Sequence, residues 1–169
     1  AQVDYTDYNS DIGTPEEMVA SGTDGEAVTT QYDWGNYNTG SWVWRKTREE
    51  ILDSTSNTIR ETNYGYETGT GNLLTETFSL TSSTSATITK TYDTWGNVGT
   101  ETDAESNTTS ITYDSTKTFP TVITYPTTTP SVTHEVEYAY DYRFGKVSNY
   151  TDENDFETDY LYDDFGRLV

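Results

Sequence analysis

The sequence predicts an all-β protein: antiparallel hairpin repeats stacked edge to edge as a shallow β-solenoid, preceded by an irregular N-terminal segment. Three observations predict it. A short phrase recurs (Tyr, Asp, two or three spacers, Gly, a polar or basic residue, an aliphatic): Tyr92-Asp93-Thr94-Trp95-Gly96-Asn97-Val98, Tyr140-Asp141-Tyr142-Arg143-Phe144-Gly145-Lys146-Val147 and Tyr162-Asp163-Asp164-Phe165-Gly166-Arg167-Leu168. Tyrosines before these turns alternate, as in Tyr64/Tyr66, Tyr138/Tyr140 and Tyr160/Tyr162, a two-residue period that puts both rings of a pair on one sheet face. Hydrophobic residues are only 31% of the chain, while aromatics are 14% with 15 Tyr. Typical domains are ~45–50% apolar, so burial here must rest on rings rather than on a thick Leu/Ile core.

The phrase is a hairpin written in residues. Asp suits the first turn position, where its carboxylate accepts the next backbone N–H groups. Gly suits the left-handed position that follows a type I turn. The aliphatic after it opens the return strand. The anchor tyrosines are Tyr66, Tyr92, Tyr113, Tyr140 and Tyr162, and alternate anchors lie 47 (113 − 66), 48 (140 − 92) and 49 (162 − 113) residues apart. Each structural repeat is thus expected to hold two hairpins of unequal length.

Taken in order, residues 1–57 carry the weakest pattern and are expected to form an irregular segment with a few strands. Thr14-Pro15-Glu16-Glu17-Met18-Val19-Ala20 has the signature of a short helix, with Thr14 as N-cap and Glu17 three residues on. Tyr32-Asp33-Trp34-Gly35-Asn36 reads as a copy of the phrase with a shortened turn. Trp42-Val43-Trp44-Arg45 reads as a strand with both tryptophans on one face, and residues 45–56 as strand–turn–strand with the bend at Asp53–Asn57. The array proper is expected over 58–169, as one continuous unit with an open C-terminal end, since Leu168-Val169 begins a return strand. Strands are predicted near 58–67, 72–80, 85–93, 97–102, 107–114, 118–125, 131–141, 145–151 and 155–163. A second kind of turn recurs between the anchors at Asp103–Asn107 and Asp152–Asp155. Tyr113-Asp114 is a copy without Gly. Pro120 and Pro126 bracket a strand that must spare an N–H, and Thr127–Pro130 reads as a surface loop.

With these residues in view, the Tyr-Asp-x-x-Gly-[Arg/Asn/Lys]-[Leu/Val] phrase resembles the YD or RHS repeat family. That family includes the cocoon-forming B and C components of bacterial Tc toxins, RHS and wall-associated polymorphic toxins, and the teneurins. The likeness covers about residues 58–169 and is most specific over 160–169. It implies a long antiparallel sheet that spirals into a shell or solenoid able to enclose another polypeptide, with Tyr92, Asp93, Gly96, Tyr140, Asp141, Gly145, Tyr162, Asp163 and Gly166 as the structural turn motif.

Composition narrows the function. Net charge is −20 with a pI near 4.1, which repels phosphate backbones and argues against nucleic acid as a partner. Cys is absent, so disulfides and thiolate sites are excluded. No apolar run is long enough to span a membrane, and no leader segment is visible. An acidic, Thr-, Ser- and Tyr-rich surface points to an extracellular or cell-surface setting. Asp7, Asn9 and Asp11 place oxygen donors as a calcium loop begins, but Gly13 falls one place late and Met18 stands where the loop's closing Glu belongs; an acidic loop explains the same residues, and no other cofactor is suggested. His134, the only histidine, has no partner motif for a triad or a zinc site. Trp34, Trp42, Trp44 and Trp95 are candidate sugar-stacking platforms, against their use as core. Asn107-Thr108-Thr109 and Asn149-Tyr150-Thr151 match glycosylation sequons. The expected role is structural and non-catalytic, as shell, stalk or self-assembling filament, with partners in further copies joined head to tail or in adjacent repeats of a longer chain. A glycan-binding adhesin is the alternative.

Overall fold

The structure, a computed structural model, describes residues 2–21, 27–38, 42–81, 83–128 and 132–169. Every regular element among them is a strand, and each strand is hydrogen-bonded to its neighbours in chain order. The chain divides between Thr89 and Lys90 into two compact units.

The first unit holds β1 (Gln2–Tyr8), β2 (Pro15–Ser21), β3 (Ala27–Asn36), β4 (Trp44–Leu52), β5 (Thr58–Tyr66), β6 (Leu73–Thr81) and most of β7 (Thr84–Tyr92). All its pairings are antiparallel. The helix expected over Thr14–Ala20 is instead β2, which pairs with β1 on one side and β3 on the other. A single helical turn would have satisfied few of its own backbone groups, whereas two ladders satisfy this segment, and Pro15 at the first strand position loses little. The bend expected within Tyr32–Asn36 is absent, because β3 runs straight through and pairs Trp34 with Lys46 and Asn36 with Trp44. Trp42 precedes β4 rather than lying in it, and its φ of +47° takes it out of the extended run. It therefore does not share a strand face with Trp44.

The second unit begins with the end of β7 and continues through β8 (Val98–Thr102), β9 (Thr108–Tyr113), β10 (Pro120–Tyr125), β11 (His134–Asp141), β12 (Lys146–Thr151) and β13 (Glu157–Asp159), with a last bridge between Tyr162 and Leu168. Pro120 stands first in β10, next to a register shift, so its missing N–H falls where the ladder is already broken. Of the Thr127–Pro130 loop, Thr129 and Pro130 lie outside the described residues, as does Ser131 of the expected 131–141 strand.

Burial is shallow. Val136 is the one buried hydrophobic residue among those described, and no side chain is wholly enclosed. Half-buried rings carry the packing instead. Tyr150, Tyr138, Tyr140 and Phe119 form a row with centroids 5.2, 6.4 and 4.6 Å apart, the last pair stacked. Such contacts add about 0.5–1.5 kcal/mol each beyond the area they bury. In the first unit the Lys46 ammonium lies 4.9 Å from the Tyr64 ring centre, and Glu50, also buried, is held by Arg48 and Thr58.

Candidate functional site

The chemistry of this chain is concentrated at its turns. In an antiparallel meander alternate turns fall on the same edge, so within the second unit the turns after Tyr92, Tyr113, Tyr140 and Tyr162 share one edge, and those at Asp103–Asn107 and Asp152–Phe156 share the other.

Each turn is closed by its first Asp. In Asp93–Asn97, the Asp93 N–H donates to the Asn97 carbonyl at 2.9 Å and Gly96 N–H donates back to the Asp93 carbonyl at 3.1 Å. Asp93 Oδ1 accepts from the N–H groups of Trp95 (2.8 Å) and Asn97 (3.0 Å). Asp163 repeats the scheme, with Phe165 and Arg167 N–H both at 2.9 Å, as does Asp103 with Glu105 and Asn107. These are three-residue loops, a type I turn followed by a left-handed residue. That last residue is Gly96 (φ +87°) or Gly166 (φ +72°) on the tyrosine edge, but Ser106 (φ +70°) and Asp155 (φ +61°) on the other. The Asp141 and Asp114 turns are one residue longer, and the left-handed place of the second is taken by Lys117 at φ +59°.

The carboxyls are held ionised by these bonds. Asp163 is lowered by the Arg167 N–H first and by its side chain next. Asp141 is lowered chiefly by the Arg143 side chain, and Asp103 by the Asn107 amide. At Asp93 partial desolvation pushes upward, yet the bonds from Asn97 and Trp95 outweigh it and the net shift is down.

The turns are also tied to one another. Asn97 Nδ2 donates to the Lys117 carbonyl at 2.9 Å. The Tyr142 hydroxyl donates to Asp114 Oδ2 at 2.8 Å, and Lys146 Nζ donates to the Gly166 carbonyl at 2.5 Å. Each bond joins one turn of the tyrosine edge to the next. The first unit has the same device: Gly69 N–H donates to the Tyr37 carbonyl at 2.7 Å and Arg45 Nε to the Gly71 carbonyl at 3.3 Å. The anchor tyrosines add a second tie. Tyr66, Tyr140 and Tyr162 hydroxyls donate to the carbonyls of Lys46 in β4 (2.9 Å), Pro120 in β10 (2.9 Å) and Val147 in β12 (2.7 Å). The phrase uses Tyr rather than Phe because the hydroxyl reaches a backbone carbonyl of a neighbouring strand. Tyr140→Phe is expected to lower stability by about 0.5–1.5 kcal/mol, read as a lower denaturant midpoint with an unchanged slope; an unaltered midpoint would remove the tie from the argument.

The other sequence candidates scatter. Trp34 lies half-buried in β3 with its Nε1 donating to the Pro15 carbonyl at 3.1 Å, and Trp44 is half-buried in β4. Trp42 and Trp95 are 73% and 74% exposed, Trp95 at a turn tip of the second unit. Asn9 Oδ1 accepts from the N–H groups of Asp11 and Ile12 at 3.0 and 3.2 Å, and Asp7 Oδ1 accepts from Tyr8 N–H at 2.8 Å, so these oxygens already shape the loop between β1 and β2. His134 bridges Glu153 (2.9 Å) and Thr128 (3.1 Å). Sequence reading missed Asp114 as a hub: it accepts from Thr116 Oγ1, Thr118 N–H, Phe119 N–H and the Tyr142 hydroxyl. Its lost Gly hid it, although the Tyr-Asp pair stood at the expected spacing.

Comparison with solved structures places the fold beside chains of TcdB2–TccC3–Cdc42 (TM-score 0.58, 15% identity, 93% of this chain and 9% of that one) and of TcdB2–TccC3 (0.58, 15%, 93% and 10%). A third is TcdB2–TccC3 without its hypervariable C-terminal region (0.54, 18%, 95% and 10%). At these identities the likeness is one of fold, and this chain spans only 9% to 10% of the length of those chains. No protein-family model matches the sequence, and no curated protein matches it.

Proposed function

We propose that this chain is a structural, non-catalytic segment of a secreted or cell-surface YD-repeat protein, forming part of a shell, stalk or extracellular filament. The observation that carries the reading is the ladder of turns: the motif residues join one hairpin to the next. The fold likeness to TcdB2–TccC3 chains supports it, as does the Tyr-Asp-x-x-Gly phrase at its regular spacing. Its partners on this reading are neighbouring repeats of a longer chain or further copies joined head to tail, because a repeat owes its cohesion to its neighbours.

The exposure of Trp42 and Trp95 favours one second reading, a glycan-binding adhesin whose ring faces stack on sugars. Titration of the chain with a broad panel of sugars separates the two by tryptophan fluorescence. The structural reading expects no change. A saturable change abolished by Trp42→Ala or Trp95→Ala replaces it with the adhesin.

A further inference from the structure

We propose that Thr128 is an activated hydroxyl that accepts an acyl group, with His134 as its general base and Glu153 as the residue that orients the base. The inference goes beyond the structural reading: one acyl group per chain adds a covalent attachment point to a repeat segment and leaves its structural role in place.

His134 opens β11, Thr128 lies in the loop between β10 and β11, and Glu153 lies in the turn between β12 and β13. The meander brings the three to one edge of the second unit, because β11 pairs with β10 on one side and with β12 on the other. No local motif announces the partners of this histidine, which stand six residues before it and 19 after it. Thr128 Oγ1 is 3.1 Å from His134 Nε2, and Glu153 Oε2 is 2.9 Å from His134 Nδ1. Hydroxyl, Nε2, Nδ1 and carboxylate thus stand in the order of a nucleophile–histidine–acid relay. The carboxylate decides the tautomer. It only accepts, so Nδ1 carries the ring proton and donates it to Glu153. Nε2 is left with its lone pair, and the Thr128 hydroxyl is the donor. The proton that a nucleophilic oxygen has to lose already points at the base.

Thr128 is exposed, so an acyl donor can reach it. Beside His134 opens a cavity of about 470 Å³ lined by Val132, Tyr150, Asp152, Glu153 and Asn154. Val132 and Tyr150 give it an apolar wall, while Asp152 and Glu153 repel anions. Tyr125 stands opposite His134 across the β10–β11 ladder, and no lysine or arginine lines the cavity among the described residues. Asp152 is engaged in its own turn, where Oδ1 accepts from the N–H groups of Asn154 and Phe156 at 2.8 and 3.0 Å. The donor that fits is a neutral or cationic acyl group on a good leaving group, as an aryl ester or a thioester. Thr128 Oγ1 attacks the carbonyl carbon as its proton passes to Nε2. The bond to the leaving group breaks, the leaving group takes that proton, and a threonine ester remains.

The full chain treated with p-nitrophenyl acetate tests this by intact mass and peptide mapping. Acetylation of Thr128 is expected to outrun that of every other threonine, and His134→Gln to slow it at least about a hundredfold. Glu153→Gln keeps the shape of the side chain but can donate to Nδ1 and so hold the opposite tautomer; it should slow the reaction at least about tenfold. Glu153→Asp restores a carboxylate and should recover part of the rate. Free imidazole should restore acetylation to His134→Gly, which a histidine that merely clasped the loop would not allow. Thr128→Ser should stay reactive and Thr128→Val should not. Acetylated lysines of the same chain report an equal dose of reagent in every variant, and unaltered circular dichroism reports a kept fold. Acetylation of Thr128 no faster than that of other exposed threonines overturns the inference, as does a rate that either His134→Gln or Glu153→Gln leaves unaltered.

Discussion

Gly166→Ala is expected to destabilise the chain by about 2–5 kcal/mol. The backbone part comes from φ +72°, where a side chain costs ~1–2 kcal/mol. The packing part comes from the Phe144 ring, whose Cδ1, Cγ and Cε1 lie 2.9, 3.0 and 3.3 Å from the new methyl position; forcing such an overlap costs about 1–3 kcal/mol. Gly96→Ala separates the two parts. Its φ is +87°, but a methyl there meets nothing within 4 Å, so only the backbone cost of ~1–2 kcal/mol remains. Urea unfolding of both variants reads the difference. Equal losses would mean that the ring over Gly166 contributes nothing, and the turn ladder would lose its apolar half.

Asp114→Ala is expected to lower the thermal midpoint by about 5–10 °C. Asp114 accepts from Thr116 Oγ1 at 2.6 Å, Thr118 N–H at 2.8 Å, Phe119 N–H at 3.2 Å and the Tyr142 hydroxyl at 2.8 Å. Alanine leaves all four donors without this acceptor, and the tie to the next turn is cut. Asp114→Asn keeps an oxygen for the two backbone donors and should lose less. Acid tests the same bonds. The Thr116 hydroxyl first, then the Tyr142 hydroxyl and the two N–H groups, hold the Asp114 carboxyl well below its ordinary range against some desolvation. Asp53, Asp93, Asp103, Asp141 and Asp163 are lowered too, by the bonds within their own turns. A carboxyl lowered on folding contributes stability that is fully present above its unfolded value of about 3.9 and is lost as pH falls through the folded value. Stability is therefore expected to fall below about pH 4, even though acid also relieves the repulsion of a chain carrying −20. In Asp114→Asn that acid-driven loss should be shallower by one linked group. A variant that tracks the wild type in parallel would show that Asp114 is not held by these bonds.

Much of the fold is legible in the residues. Alternating tyrosines and Asp-to-Gly bends locate β7, β8 and β12 to within a residue, and the end of β11 at Asp141, because a two-residue period and a tight turn are local properties. The errors lie where local signals were contradicted from a distance. Thr14–Ala20 has a helix signature, but strands on both sides hydrogen-bond it as β2. Tyr32–Asn36 spells a turn, but Lys46, Arg45 and Trp44 lie opposite its last residues and hold it extended.

The turn chemistry divides in the same way. From Asp93, Asp141 and Asp163 the sequence by itself determined where the chain reverses and which side chain accepts the bend's N–H groups, since donor and acceptor lie within four residues of each other. Only the tertiary structure decided what each turn touches. Phe119 over Gly145, Phe144 over Gly166 and Tyr142 on Asp114 join residues 22 to 28 apart (145 − 119 = 26, 166 − 144 = 22, 142 − 114 = 28). Such contacts depend on the number of residues in the intervening strands and on each register shift between them, and no local pattern encodes that sum.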